Sequence, residues 1–203
     1  AFPGYHGVAW YWREFAAPLN PHFEGRYLLR FWAVDYKANV WVNGIPVGGH
    51  EGGETPFVLD VTGTIKPGTS NLVAVRVVNP TDAPIDGLVL REMPARNKVN
   101  RYSGGNSYNH GGIIDSVELH VVPPARVEDV FVRPDWKTGE VHVQANARNA
   151  SEKSVQTVVQ FTIAQAASGK TVASLTLDRK LPPGDSQIDA RLQVPGHRLW
   201  ELN

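Results

Sequence analysis

The stretch Asn39-Val40-Trp41-Val42-Asn43-Gly44-Ile45 decides how the rest of the chain is read. Its first four residues favour a strand, and Asn43-Gly44 follows directly between two β-prone side chains. A type I′ turn needs positive φ at both central residues, which asparagine and glycine tolerate, so a hairpin is predicted over residues 38–50. Working outward, the same period of two recurs in Ala9-Trp10-Tyr11-Trp12-Arg13-Glu14-Phe15 and in Tyr27-Leu28-Leu29-Arg30-Phe31-Trp32. Towards the carboxyl end it returns in Phe57 to Val61, in Leu72 to Val78, and in Ile114 to Val122, where Val117, Leu119 and Val121 share a face. No stretch carries a long 3.6-residue period.

Composition agrees with this reading. Of 203 residues, 34 are glycine or proline, and 26 valines stand against 14 leucines, which is the make-up of a turn-rich β protein. With 42% hydrophobic and 20% charged residues, the chain can bury a core and is not expected to be disordered. Twenty basic residues balance twenty acidic ones, and no basic face for nucleic acid emerges. No apolar run approaches the ~18 residues of a membrane helix, so neither nucleic acid nor membrane is an expected partner. Cysteine is absent, which removes disulfides, thiol nucleophiles and cysteine-based zinc sites and leaves the compartment unencoded. The chain opens at Ala1 and its single methionine is Met93, as expected of a processed chain or a piece of something longer.

Pro123-Pro124 breaks the last strand of this block, and plainer alternation resumes at about 126–133, 139–148, 154–165, 170–178 and 186–194. Two domains are therefore expected, 1–123 and 124–203. The second suits an immunoglobulin-like sandwich without its cysteine pair, ending one strand short. Between the strands of the first lies a polar connection over residues 79–112, and loops of that length in compact domains are usually functional.

Several motifs in order resemble the non-catalytic amino-terminal region of glycoside hydrolase family 2, the group of β-galactosidases, β-glucuronidases and β-mannosidases. Gly7-Val8-Ala9-Trp10-Tyr11-Trp12-Arg13 is similar to the family's opening strand. Val40-Trp41-Val42-Asn43-Gly44, followed by Gly48-Gly49-His50-Glu51-Gly52-Gly53-Glu54-Thr55-Pro56-Phe57, resembles its most characteristic stretch. Asp60-Val61-Thr62, Gly68-Thr69-Ser70-Asn71, Gly111-Gly112-Ile113 with Val117-Glu118-Leu119, and Leu199-Trp200 continue the likeness. It implies an all-β chain: a jelly-roll, galactose-binding-like β-sandwich followed by an immunoglobulin-like one.

The resemblance also implies where chemistry is missing. Retaining glycoside hydrolysis needs two carboxyl groups about 5 Å apart, which the family carries on a (β/α)₈ barrel. Nothing here has βα periodicity, and the family's Asn-Glu pair is absent. No catalytic residue and no cofactor are therefore expected; the parent protein would be the retaining hydrolase, with carbohydrate as its partner and the barrel as the missing domain. In the family an acidic residue seven positions before the isoleucine of the closing Gly-Ile motif contacts sugar, and that count from Ile113 lands on Asn106, an uncharged departure. Tyr108, His110, Asp86, Arg96 and Arg101 join it as candidate substrate-binding residues, since amides, flat rings and fork donors suit sugar hydroxyls. The cations could equally pair with Asp82, Asp86 or Glu92, and the sugar is not readable.

Structure alone explains much of the motif. Trp41 and Phe57 are expected core aromatics, while an outward Trp10, Trp12 or Trp32 could stack on a sugar ring. His50, Glu51 and Glu54 have ligand chemistry at short spacing, but in a glycine-rich turn segment no metal site is expected. Asn149-Ala150-Ser151 matches a glycosylation acceptor. A free-standing carbohydrate-binding module and a structural pair of sandwiches are the competing functions.

Overall fold

The computed structural model describes residues 5–53, 55–81, 83–89 and 111–199. They fall into two compact units that divide between Val122 and Pro123, with His22–Glu24 grouped with the later one. The protein is all-β, a jelly-roll sandwich followed by an immunoglobulin-like one, with no helix among the described residues.

The first unit contains β1 (Gly7–Ala16), β2 (Arg26–Phe31), β3 (Val34–Asp35), β4 (Lys37–Val42), β5 (Ile45–Glu51), β6 (Phe57–Asp60), β7 (Ser70–Asn79), β8 (Gly112–Ile113) and β9 (Val117–Val122). One sheet runs β1-β7-β4-β5 and another β6-β2-β9, all with antiparallel neighbours; β3 and β8 form a short pair. Val40, Val42, Val73, Val75 and Val77 of the first sheet pack against Tyr27, Leu29 and Phe31 of the second. Each fully buried side chain of this kind contributes about 1.5–3 kcal/mol.

The predicted hairpin is β4–β5, with Asn43 at φ 53° and Gly44 at φ 82°, the signs a type I′ turn demands. Strand alternation then corrects one expectation. Ala38, Val40 and Val42 are buried, so Trp41 belongs to the opposite, outer face instead of the core. Phe57 does pack inward, parallel to Phe31 with ring centroids 4.8 Å apart. A second difference lies at 114–122, expected as one strand. Asp115 accepts from the Ser116 N–H at 2.6 Å, a local bond that competes with the ladder, and the strand β9 starts only at Val117, after the short β8 at Gly112–Ile113.

The second unit contains β10 (Ala125–Pro134), β11 (Glu140–Asn149), β12 (Val155–Ala164), β13 (Thr171–Leu181) and β14 (Gly184–Gln193). Sheet β10-β11-β14 covers the hairpin β12-β13 over a core of Val143, Ala145, Ala147, Phe161, Leu181, Ile188, Ala190 and Leu192. Asn149, which reads as a glycosylation acceptor in sequence, is instead buried at the end of β11. Its amide donates to the carbonyls of Lys153 (2.8 Å) and Leu181 (3.0 Å), while its oxygen accepts from the N–H and hydroxyl of Ser151.

Candidate functional site

The long connection after β7 leaves and re-enters the first sandwich at one place. β7 ends at Asn79, and the chain returns at Gly111 to form β8, whose Ile113 and Gly112 pair with Val34 and Asp35 of β3. The Tyr36 N–H donates to the Val78 carbonyl at 3.1 Å, which ties β3 to the end of β7. Asn79 is buried, and its amide donates to the Tyr5 carbonyl at 2.7 Å, so the segment before β1 is fastened at the same point. A Cβ on Gly111 would fall on the Asn79 side chain, down to its own Cβ at 2.5 Å. Only glycine lets the two ends approach this closely.

Next to this neck, Tyr36 is buried, and burial first, then the Glu51 carboxylate, pushes its phenol up from 10.0. Glu51 also pairs with Lys37 at 3.4 Å. The neck is thus a closely packed base, held by backbone ladders and a buried amide.

Of the candidate sugar contacts, Asn106, Tyr108, His110, Arg96 and Arg101 lie outside the described residues, as do Asp82 and Glu92. Asp86 is described. It occupies a tight reversal in which Ile85 and Leu88 exchange both backbone hydrogen bonds (3.0 and 2.9 Å), with Asp86 at φ 50° and Gly87 at φ 77°. This Asp-Gly turn is the same type I′ signal as Asn43-Gly44, and reading it would have placed the reversal in advance. The turn sets the Asp86 carboxylate 2.5 Å from the Arg76 guanidinium. Arg76, a residue that sequence reasoning missed, stands on β7 opposite Trp10 of β1.

The four tryptophans of the first unit occupy two surfaces. Trp10 (43% exposed) and Trp12 (63%) project outward from β1, with parallel rings 5.8 Å apart, and Trp41 of β4 lies 5.2 Å from Trp10. Trp32 is elsewhere. Its indole donates to Glu118 at 2.9 Å, Arg30 covers its ring at 3.8 Å, and His120 contacts the other Glu118 oxygen at 2.7 Å. The His120 and Trp32 hydrogen bonds hold the Glu118 carboxyl below its usual range.

His50 and Glu51 do not converge on an ion. Neighbours on a strand point to opposite faces; His50 stacks on Phe57 at 4.6 Å and shares a hydrogen bond with Thr55 (2.8 Å), while Glu51 faces Lys37. Glu54 lies outside the described residues.

Comparison with known proteins follows the same division. The family model described as "Glycosyl hydrolases family 2, sugar binding domain" matches residues 1–123. The chain is 27% identical to a β-glucuronidase of Chlorocebus aethiops over 96% of its own length and 30% of that protein's. It is 32% identical to the β-glucuronidase of Rattus norvegicus over 64% of its length and 22% of the relative's. A solved family 2 glycosyl hydrolase from Bacteroides cellulosilyticus superposes with a TM-score of 0.76 at 26% identity, covering 97% of this chain and 25% of that one. The chain therefore spans between 21% and 30% of the length of these curated relatives.

Proposed function

The chain belongs to glycoside hydrolase family 2, with residues 1–123 as its sugar-binding domain, and from that membership we propose that it is the non-catalytic amino-terminal part of a β-glycosidase. In this reading the first sandwich contributes a wall to an active site whose two carboxyl groups reside on a separate barrel. The connection between Asn79 and Gly111 reaches the terminal sugar, with Asn106 as its leading contact and Tyr108, His110, Arg96 and Arg101 around it. The substrate of the parent protein is a β-glucuronide. The curated relatives carry the name β-glucuronidase, and a guanidinium fork is the side chain best matched to a uronate.

The observation that supports this reading best is the neck. A long segment whose ends are clasped by the β3–β8 pair, the Tyr36–Val78 hydrogen bond and the Asn79–Gly111 contact is held at a defined point of a rigid scaffold, which is how loops carry specificity.

The test compares the full-length protein with the 203-residue chain on aryl β-glucuronide, β-galactoside and β-mannoside. The full-length protein is expected to cleave the glucuronide, and the chain alone to turn over none. Asn106→Ala in the full-length protein is expected to raise KM several-fold. Turnover by the chain alone would overturn the non-catalytic assignment, and cleavage of another glycoside in preference to the glucuronide would overturn the substrate.

A further inference from the structure

We propose that the outer face of sheet β1-β7-β4-β5 is a second carbohydrate site, a platform that binds β-1,4-linked chains of equatorially substituted pyranoses. It goes beyond the active-site wall and stands without it. Alternation places Trp10 and Trp12 on one face of β1, and register carries that face across: Trp12 stands opposite Ala74, and Ala74 opposite Trp41. The small Ala74 leaves open ground between Trp12 and Trp41. The three indoles therefore form one surface, with parallel rings at Trp10 and Trp12 and a 36° tilt at Trp41.

Leaving an indole in water forgoes a large burial free energy, and exposed apolar patches of a few hundred Å² are often functional. The choice of occupant follows from size and edge chemistry. The exposed indole surface amounts to roughly 300 Å². A pyranose with equatorial substituents presents a flat C–H face of about one ring's area and carries its hydroxyls around the rim. Polar groups stand where that rim would fall: Arg76 sits beside Trp10 in register, and Asp86, 58% exposed, is held against it at 2.5 Å. A guanidinium donates and a carboxylate accepts, so a pair of adjacent hydroxyls can satisfy both. The Arg76–Asp86 pair is electrically neutral and suits a neutral sugar chain.

The experiment titrates the full chain with cellohexaose and xylohexaose, following calorimetric heat and tryptophan fluorescence. Expected are a dissociation constant between about 10 µM and 1 mM for at least one probe, a fluorescence change on binding, and a tenfold or greater loss in Trp12→Ala. Trp12 is exposed, so that variant keeps the wild-type circular dichroism, and Trp12→Tyr recovers part of the affinity. Asp86→Asn weakens binding, whereas Trp32→Ala, on the other sheet, leaves it unchanged. Absence of binding at 5 mM of both probes (roughly five times the weakest expected constant) overturns the proposal. So does affinity unchanged in Trp12→Ala, or sedimentation showing a wild-type dimer that Trp12→Ala dissociates. Hydrolysis of an aryl glucuronide by the full-length protein is a separate readout, so the two readings fail independently.

Discussion

Asn43 donates from its side-chain amide to the buried oxygen of Asn71 at 2.8 Å. Two segments nearly thirty residues apart are joined here. The same Asn43 amide reaches the Thr64 carbonyl (2.8 Å), and its oxygen accepts from the Leu72 N–H (3.0 Å). Asn71 in turn accepts from the Lys66 N–H and donates to the carbonyls of Lys66 and Thr69, which leaves its amide fully satisfied. Asn43 therefore has two tasks, a left-handed backbone for the hairpin and a bracket for the turn that launches β7.

Removing that bracket should separate the two tasks. Asn43→Gly keeps the positive φ and deletes the amide, and Asn71→Ala takes the partner from the Lys66 N–H and one donor from each of the Lys66 and Thr69 carbonyls. Each is expected to lower the stability of the first unit, by about 1–2 kcal/mol for Asn43→Gly and about 2–4 kcal/mol for Asn71→Ala. Urea unfolding followed by tryptophan fluorescence reads both. A double-mutant cycle should give a coupling of about 0.5 kcal/mol or more, and additive losses would mean that the bond is incidental.

The neck offers a steric prediction. Gly111→Ala places a methyl group against Asn79, including its Cβ at 2.5 Å, so relaxation by a side-chain swing is not available. Overpacking of this kind costs about 1–3 kcal/mol. Asn79→Gly clears the obstruction and, added to Gly111→Ala, should recover part of the loss in thermal or urea unfolding. In the full-length protein, Gly111→Ala is expected to raise KM for the glycoside more than it lowers kcat, since it displaces the base of a binding loop and no reacting group.

How much of this was legible beforehand differs between the strands and the site. Period-two patterning placed the longer strands of both sandwiches, though neither β3 nor β8, because strand alternation is a local property that burial of valine enforces on either side of each turn. Trp41 was misassigned to the core because aromatic character says nothing about face; Val40 and Val42 on either side of it do. Asn149 fits the acceptor pattern without serving it for a related reason. A three-residue pattern cannot distinguish an exposed acceptor from an asparagine whose amide is spent on Lys153 and Leu181. Arg76 and the neck were beyond reach because they depend on which strands pair, and Asn79 meets Gly111 only after β3 has found β8. The Asp86-Gly87 turn was readable by the same rule that placed Asn43-Gly44.

Asn149 yields a prediction of its own in the second unit. Asn149→Ala takes the side-chain acceptor from the Ser151 N–H and a donor from the buried Leu181 carbonyl, while the Lys153 carbonyl keeps only the Ser151 hydroxyl. The expected loss is about 2–3 kcal/mol. Because the corner belongs to the second unit, the first unit's fluorescence transition should not move, while the second unit's should, as hydrogen exchange of β11 amides would report. Equal shifts in both would mean that the two units unfold as one.

Acid should weaken the second unit through Asp189. Its carboxyl is held below 3.8, first by the Gln144 amide donating at 2.9 Å, then by Gln187 at 3.0 Å, with His142 adding to both. Arg133 contacts the other nitrogen of His142 at 3.1 Å, and since a guanidinium can only donate, the neutral ring carries its proton on the nitrogen facing Asp189. A carboxyl with a depressed folded pKa is more readily protonated in the unfolded chain. The stability it contributes is present above 3.8 and is lost as pH falls through the lower folded value. Asp189→Asn should therefore be less stable than wild type at neutral pH and converge with it at low pH. Urea midpoints of the second unit, measured from pH 7 down to pH 2.5 in both proteins, read this directly. Parallel curves across the whole range would show that Asp189 gains nothing from Gln144, Gln187 and His142 on folding.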